Sequence, residues 1–170
     1  AQVSGTAMHA VASCIRSDQL RPLLDKYGLR QIDPERWYPI KTWLNLLEDI
    51  AQTQSGALDL IVIGKEIARN IELPAEVDTV EAVLMHLPKI YQRNYRGGDV
   101  GHYTVEKQSH GQFRVIGRIP FPSDLTLGVL RGLITRFVDK RARYTVTPDL
   151  NDSTNAQNDP DTFTFLVKSI

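Results

Sequence analysis

The stretch Gly97–Phe137 reads GGDVGHYTVEKQSHGQFRVIGRIPFPSDLTLGVLRGLITRF, and its reading decides the fold. A glycine-rich turn gives way to an alternating run from His102 to Lys107. A polar turn at Ser109–Gly111 follows, then a second alternating run from Phe113 to Ile119. Two period-2 runs across a short polar turn specify a β-hairpin. Tyr103 and Val105 fall on one face with Phe113, Val115, Gly117 and Ile119. His102, Thr104, Glu106, Arg114 and Arg118 fall on the other, where Ile116 is the exception. That division is expected of a sheet covered on one side. Pro120-Phe121-Pro122 then ends the strand, and Ser123 or Asp124 caps a helix reaching about Val138. Leu127, Leu130, Ile134 and Phe137, flanked by Leu133, would face the sheet, and Gly128 and Gly132 permit close backbone contact.

Two more strands are expected after that helix. Tyr144 and Val146 alternate with Arg143, Thr145 and Thr147, and Phe163, Phe165 and Val167 alternate with Thr162, Thr164 and Lys168. A long polar loop, Pro148–Asp161, separates them. The order is therefore ββαββ, and everything before it reads as helical.

In that first half, Met8–Ile15 fits either a short strand or the start of a helix. Ser17 is a candidate N-cap for a helix over Asp18–Lys26, with Leu20, Leu23 and Leu24 on one face and Gly28 as its stop. Asp33-Pro34-Glu35-Arg36 reads as a second helix start. Trp37-Tyr38-Pro39 leads into a stronger helix, in which Ile40, Trp43, Leu44, Leu47 and Ile50 share a face until Ser55-Gly56. Ala57–Ile71 is apolar nearly all round, which places it at the centre of the helical half, with Gly64 admitting a close neighbour. Asp78 and Glu81 suggest a capping box for a helix from Thr79 to about Asn94. Its inward face would be Val80, Val83, Leu84, Leu87, Ile90 and Tyr91, and Pro88 should kink it or end its first half. The expected class is α+β in one domain over 1–170: a helical part over about 1–96, then a four-stranded, mainly antiparallel sheet over about 97–170 that a helix covers.

A chain of 170 residues is long enough to bury a core without staples. Twenty basic and twenty acidic residues cancel, so no global field favours nucleic acid or an anionic membrane as partner. The longest apolar runs fall well short of a membrane span. The N-terminal AQVSGTAMHAVASC lacks the basic start and long apolar core of a secretory signal. Cys14, the one cysteine, excludes an internal disulfide and a multi-cysteine metal site. A reducing, cytoplasmic setting is expected; the first residue is not Met, which leaves open whether the chain is a domain cut from a longer protein.

Several blocks carry a resemblance. Trp37-Tyr38-Pro39, VIGKEIARNI, LMHLPKIYQRNYRGG, the hairpin, and GVLRGLITRF followed by two strands resemble a bacterial superfamily of sensory domains. It includes the haem nitric-oxide/oxygen-binding (H-NOX) domains, the vinyl-reductase small-molecule-binding domains, and an uncharacterised paralogous family abundant in myxobacteria. The resemblance covers nearly the whole chain in element order. It implies a non-enzymatic sensory or regulatory domain with a pocket between helices and sheet, a signalling protein or fused signalling domain as partner, and homodimers. His86 stands broadly where haem-binding members carry their proximal histidine. Their Tyr-x-Ser-x-Arg motif is absent, since the corresponding region reads Arg118-Ile119-Pro120-Phe121-Pro122-Ser123-Asp124. The cysteines that vinyl-reductase-type members carry near their last strands are also absent. No cofactor and no metal is therefore expected.

No nucleophile elbow, ordered triad or nucleotide loop is legible, so no catalytic residue is assigned. His9, His102 and His110 are too scattered for a zinc site. Cys14 reads as a small buried residue. Arg93, Arg96, Gly97 and Gly98 fit either an anion cradle or a plain helix-to-strand turn. Arg114 and Arg118 fit either a contact face or a solvated one. A small apolar or amphipathic ligand is expected where the Pro88 helix meets the hairpin. It would touch Leu84, Leu87, Tyr91, Tyr103 and Leu130, with Arg96 at the mouth. The alternative is a structural or adaptor module that dimerises through the edge of its last strand, TFTFLVKSI.

Overall fold

The computed structural model describes residues 1–15, 18–137, 143–152, 159 and 161–170. The readings of Ser17 as a cap, of Val138 as a helix end and of Cys14 as a buried side chain lie outside the described residues. Half of the Pro148–Asp161 loop does too.

Five helices precede the hairpin. The first, α1 (Gly5–Cys14), settles the ambiguity at Met8–Ile15 in favour of a helix. Ser4 caps it, its Oγ accepting from the Ala7 N–H at 3.2 Å. Next comes the short α2 (Arg21–Lys26), after which Gly28 takes the left-handed φ of +67° expected of a helix stop. Asp33-Pro34 does not start a helix. Its Asp33 side chain accepts from the Glu35 N–H and its carbonyl from the Arg36 N–H, a turn that aspartate makes readily.

In α3 (Ile40–Ala51) the buried face is Trp43, Leu46, Leu47 and Ile50, so Leu46 joins the core and Leu44 lies at its border. The following α4 (Gly56–Asn70) is not enclosed on all sides. Leu60, Ile63, Gly64 and Ala68 face inward, while Leu58 and Val62 stand 70% and 54% exposed. The last of the five is α5 (Val80–Arg93), whose buried face is the one its spacing specifies: Val80, Val83, Leu84, Leu87, Ile90 and Tyr91. Its cap is Thr79, whose Oγ1 accepts from the Ala82 N–H at 3.1 Å; the box of Asp78 and Glu81 does not form. The helix also runs on through Pro88. An internal proline costs about 3 kcal/mol, whereas each of six buried side chains contributes about 1.5–3 kcal/mol, so packing on both sides of Pro88 wins.

The first half is not wholly helical. Three very short strands, β1 (Gln2–Ser4), β2 (Trp37–Pro39) and β3 (Tyr95–Arg96), form an antiparallel sheet ordered β2-β1-β3. It pins the start of the chain between the approach to α3 and the end of α5.

The main sheet joins β4 (His102–Ser109), β5 (Gln112–Arg118), β6 (Tyr144–Pro148) and β7 (Thr162–Ser169) in the order β4-β5-β7-β6, with every pair antiparallel. Its inner face carries Tyr103, Phe113, Val115, Val146, Phe165 and Val167, all buried. The final strand lies inside the sheet, paired on both sides, so it offers no edge for dimerisation; the open edges are β4 and β6. Between sheet and helices runs α6 (Ser123–Thr135), with Leu130, Leu133 and Ile134 buried. One side of it borders the sheet, Leu127 near Phe163 and Ile134 near Val146. The other presses on α4, where Gly64 meets the Leu125–Val129 backbone and Gly128 meets the Ile61 carbonyl. The buried residues of both halves form one core.

Candidate functional site

An aromatic cluster marks the junction of the two halves. Tyr91 comes from the buried face of α5, Tyr95 from β3, Tyr103 from the inner face of β4, and Phe121 from the turn between β5 and α6. The Tyr91 ring lies 4.7 Å from that of Tyr95 and meets Tyr103 edge-on at 5.1 Å. Phe121 closes the group at 5.5 Å from Tyr95. Such tilted and edge-to-face contacts are favoured between aromatic rings.

The hydroxyls are largely committed to the protein. Tyr91 donates to the Val100 carbonyl at 2.5 Å, and Tyr103 shares a 2.7 Å hydrogen bond with the buried Thr126. The Tyr95 hydroxyl lies beside the Trp43 indole. An indole N–H only donates, so the Tyr95 proton has no acceptor among the described residues. Burial raises all three phenols well above the ordinary tyrosine range, and they stay neutral at any physiological pH.

Around these rings is an apolar cavity of about 80 Å³, to which α1, α3, α4, α5, β4 and α6 all contribute. Ala7, Trp43, Ile67, Leu87, Phe121 and Val129 supply walls; Tyr95, Tyr103, Asn94 and Thr126 supply the few polar atoms. Of the residues singled out from the sequence, Leu87, Tyr91 and Tyr103 line it. Leu84 and Leu130 do not: each is fully buried in the surrounding core. Arg96 is not at a mouth, since its guanidinium stacks on Trp37 at 4.3 Å and its Nε donates to Gln2 Oε1 at 2.9 Å, bracing the small sheet. Sequence reasoning missed Trp43 and Phe121; Phe121 sits between two prolines in what looks like a turn.

The other candidate groups are structural. Arg93 donates to the Glu72 carbonyl at 3.0 Å, which ties it to the segment after α4. Arg114 is held by Glu106 at 3.1 Å and by Asp152 at 2.8 Å, and Thr164 also donates to Asp152, at 2.6 Å. Arg118 lies 3.8 Å from Asp159. Among the described residues no group of three or more His, Cys, Asp or Glu side chains could hold a metal ion. No helix there is long and apolar enough to cross a membrane.

No family model and no curated protein matches the sequence. Solved structures do match in fold. An H-NOX protein from S. oneidensis in the Fe(II)NO ligation state superposes with a TM-score of 0.73 at 13% identity, over 99% of both chains. An Fe(II) unliganded H-NOX protein from K. algicida gives 0.70 at 12% identity, covering 98% of this chain and 96% of that one. An oxygen-binding H-NOX domain related to soluble guanylate cyclases gives 0.68 at 12%, over 97% and 92%. The fold is thus the H-NOX fold. Haem, which the fold of those structures brings into question, does not fit the cavity residues. His86 is half-buried on a different side of α5 and does not line the cavity, and no lining side chain is a histidine, cysteine, lysine or arginine. The lining tyrosines stay neutral phenols rather than the phenolate that would ligate iron, and cationic partners for two propionates are missing there.

Proposed function

Starting from an H-NOX fold whose junction does not suit haem, we propose that this chain is a non-enzymatic, haem-free sensory or regulatory domain. Its ligand is a small, mostly apolar molecule with one hydrogen-bond acceptor, bound in the junction cavity. The observation that carries this reading is the cavity itself: apolar walls from six elements around a tyrosine hydroxyl with a proton to give. At about 80 Å³ it is roughly half the size of a 150 Å³ apolar cavity that takes up benzene. A ligand of a few heavy atoms fits as the cavity stands, and a larger one needs Tyr95 and Phe121 to move. Because every major helix except α2 touches the cavity, a ligand that prefers one packing of helices on sheet shifts the population toward it, and an attached or associated signalling protein reads the shift.

The test is to follow methyl and amide NMR signals of the full chain under xenon pressure and against small ketones and ethers. Shifts should cluster at Ala7, Ile67, Leu87 and Val129. They should disappear in Leu87→Phe, which fills the space, and the ketone response alone should weaken in Tyr95→Phe. No response at these positions to any probe would leave the cavity as a packing defect and end the proposal.

A further inference from the structure

Among the described residues the edge strand β6 pairs only with β7. The parity of its ladder follows from its flanks: Ile170 N–H donates to the Arg143 carbonyl at 2.8 Å, and Asp149 N–H to the Thr164 carbonyl at 2.9 Å. Across β7, Ser169 N–H donates the other way, to Gly111, at 2.7 Å. Antiparallel pairs alternate between those that exchange both hydrogen bonds and those that exchange none. With Tyr144 opposite Ser169 and Val146 opposite Val167, odd-numbered positions of β6 bond to β7. The N–H and C=O groups of Tyr144 and Val146 therefore point off the sheet, where no described group receives them.

That edge borders an open groove of about 660 Å³ between β6 and α6. Its floor includes Ile134 and Val146, and its rims carry Lys65, Arg131 and Arg143, all exposed. Several exposed cations elsewhere are ion-paired, Lys26 with Asp49, Arg30 with Asp25, Arg69 with Glu66 and Lys107 with Glu81, while Arg36, Lys41, Lys89 and Lys168 are exposed with no ion pair among the described residues. Lys65, Arg131 and Arg143 have no ion pair with any described residue. In a chain whose charges cancel overall, three cations with no ion pair among the described residues concentrate positive potential around a strand edge that no described residue pairs. Leu58 and Val62 continue the Lys65 stripe along α4 at helical spacing, exposed and apolar.

We propose that the β6 edge docks an extended, acidic segment of a partner protein, which adds to the sheet as a fifth strand. The outward N–H and C=O groups of Tyr144 and Val146 supply the main-chain bonds of such strand addition. Carboxylates at alternate positions of the segment, on the helix side, face Lys65 and Arg131. A second copy of this chain is the poorer occupant. A two-fold interface through β6 gathers both sets of the same three cations around one axis, where they repel. The inference does not depend on the junction cavity binding anything.

The test titrates the ¹⁵N-labelled full chain with a synthetic peptide of alternating Glu and Val. Controls are a Lys/Val peptide of the same length and the Glu/Val peptide N-methylated at every second residue. The Glu/Val peptide should shift the Tyr144 and Val146 amides and slow their exchange. Its binding should weaken at least about tenfold in Lys65→Glu/Arg131→Glu, whose exposed positions leave the melting curve in place. Equal binding of the Lys/Val peptide, or of the N-methylated one, would overturn the proposal. So would protection of both amides that rises with protein concentration alone, which assigns the edge to a second copy. No binding of the Glu/Val peptide would reduce the cations to guards against edge-to-edge aggregation.

Discussion

Three tyrosine hydroxyls carry most of the polar chemistry of the core, and each answers to a different partner. Tyr103 and Thr126 satisfy one another out of reach of water, so Tyr103→Phe leaves the Thr126 hydroxyl alone. A loss of about 1–3 kcal/mol is expected, read from urea melts. The same three phenols set the alkaline limit of stability. Their folded pKa values are raised by burial above the unfolded value near 10. Above that pH the unfolded chain releases protons that the folded one retains. The stability they contribute is whole below about pH 10 and falls as pH rises beyond it, by up to about 1.4 kcal/mol per pH unit for each tyrosine. Urea midpoints measured from pH 9 upward should drop steeply past 10, and less steeply in Tyr103→Phe. A flat profile there would mean that the phenols ionise in the folded state.

Between elements, the closest contact is the crossing of α4 and α6. A Cβ on Gly128 would collide with the Ile61 carbonyl, and one on Gly64 with the Leu125 carbonyl. Backbone cannot yield as a side-chain tip can, so Gly128→Ala should cost about 1–3 kcal/mol or more despite alanine's better helix propensity. Thermal melts showing a stabilised Gly128→Ala would mean the crossing is looser than it looks. On the same α6, Leu130 is fully buried, and Leu130→Ala should cost about 2–5 kcal/mol. Leu58→Ser on the outer side of α4 should stay within about 0.5 kcal/mol, because Leu58 is 70% exposed.

For the molecule as a whole, the fold is that of the H-NOX structures, and its junction is occupied by the protein's own rings. Tyr91, Tyr95, Tyr103 and Phe121 fill much of the space between helices and sheet and leave only a small cavity. Reconstitution with haem should therefore give no stoichiometric Soret band. A band that is stoichiometric and disappears in His86→Ala would reverse that expectation and require α5 to rotate His86 inward.

The sequence by itself determined the elements that bury a long, regular face. The face of α5 from Val80 to Tyr91 and the alternation from Tyr103 to Ile119 each repeat often enough for the period to name the element and its buried side. The α+β class and the hairpin followed from those repeats. What needed the tertiary structure has no repeat. The three-strand sheet that pins Gln2–Ser4 is built from pieces of two or three residues, stabilised only by partners about 35 and 90 positions away. Whether Pro88 kinks α5 or ends its first half stayed open in the sequence, because the local cost was visible and the packing that outweighs it was not. The cavity was half legible: Leu87, Tyr91 and Tyr103 stand on periodic faces, whereas Trp43 and Phe121 reach it from two further segments. Which strand keeps an open edge was not legible at all. Alternation tells which way side chains point, but the order β4-β5-β7-β6 is set by which backbones meet in space.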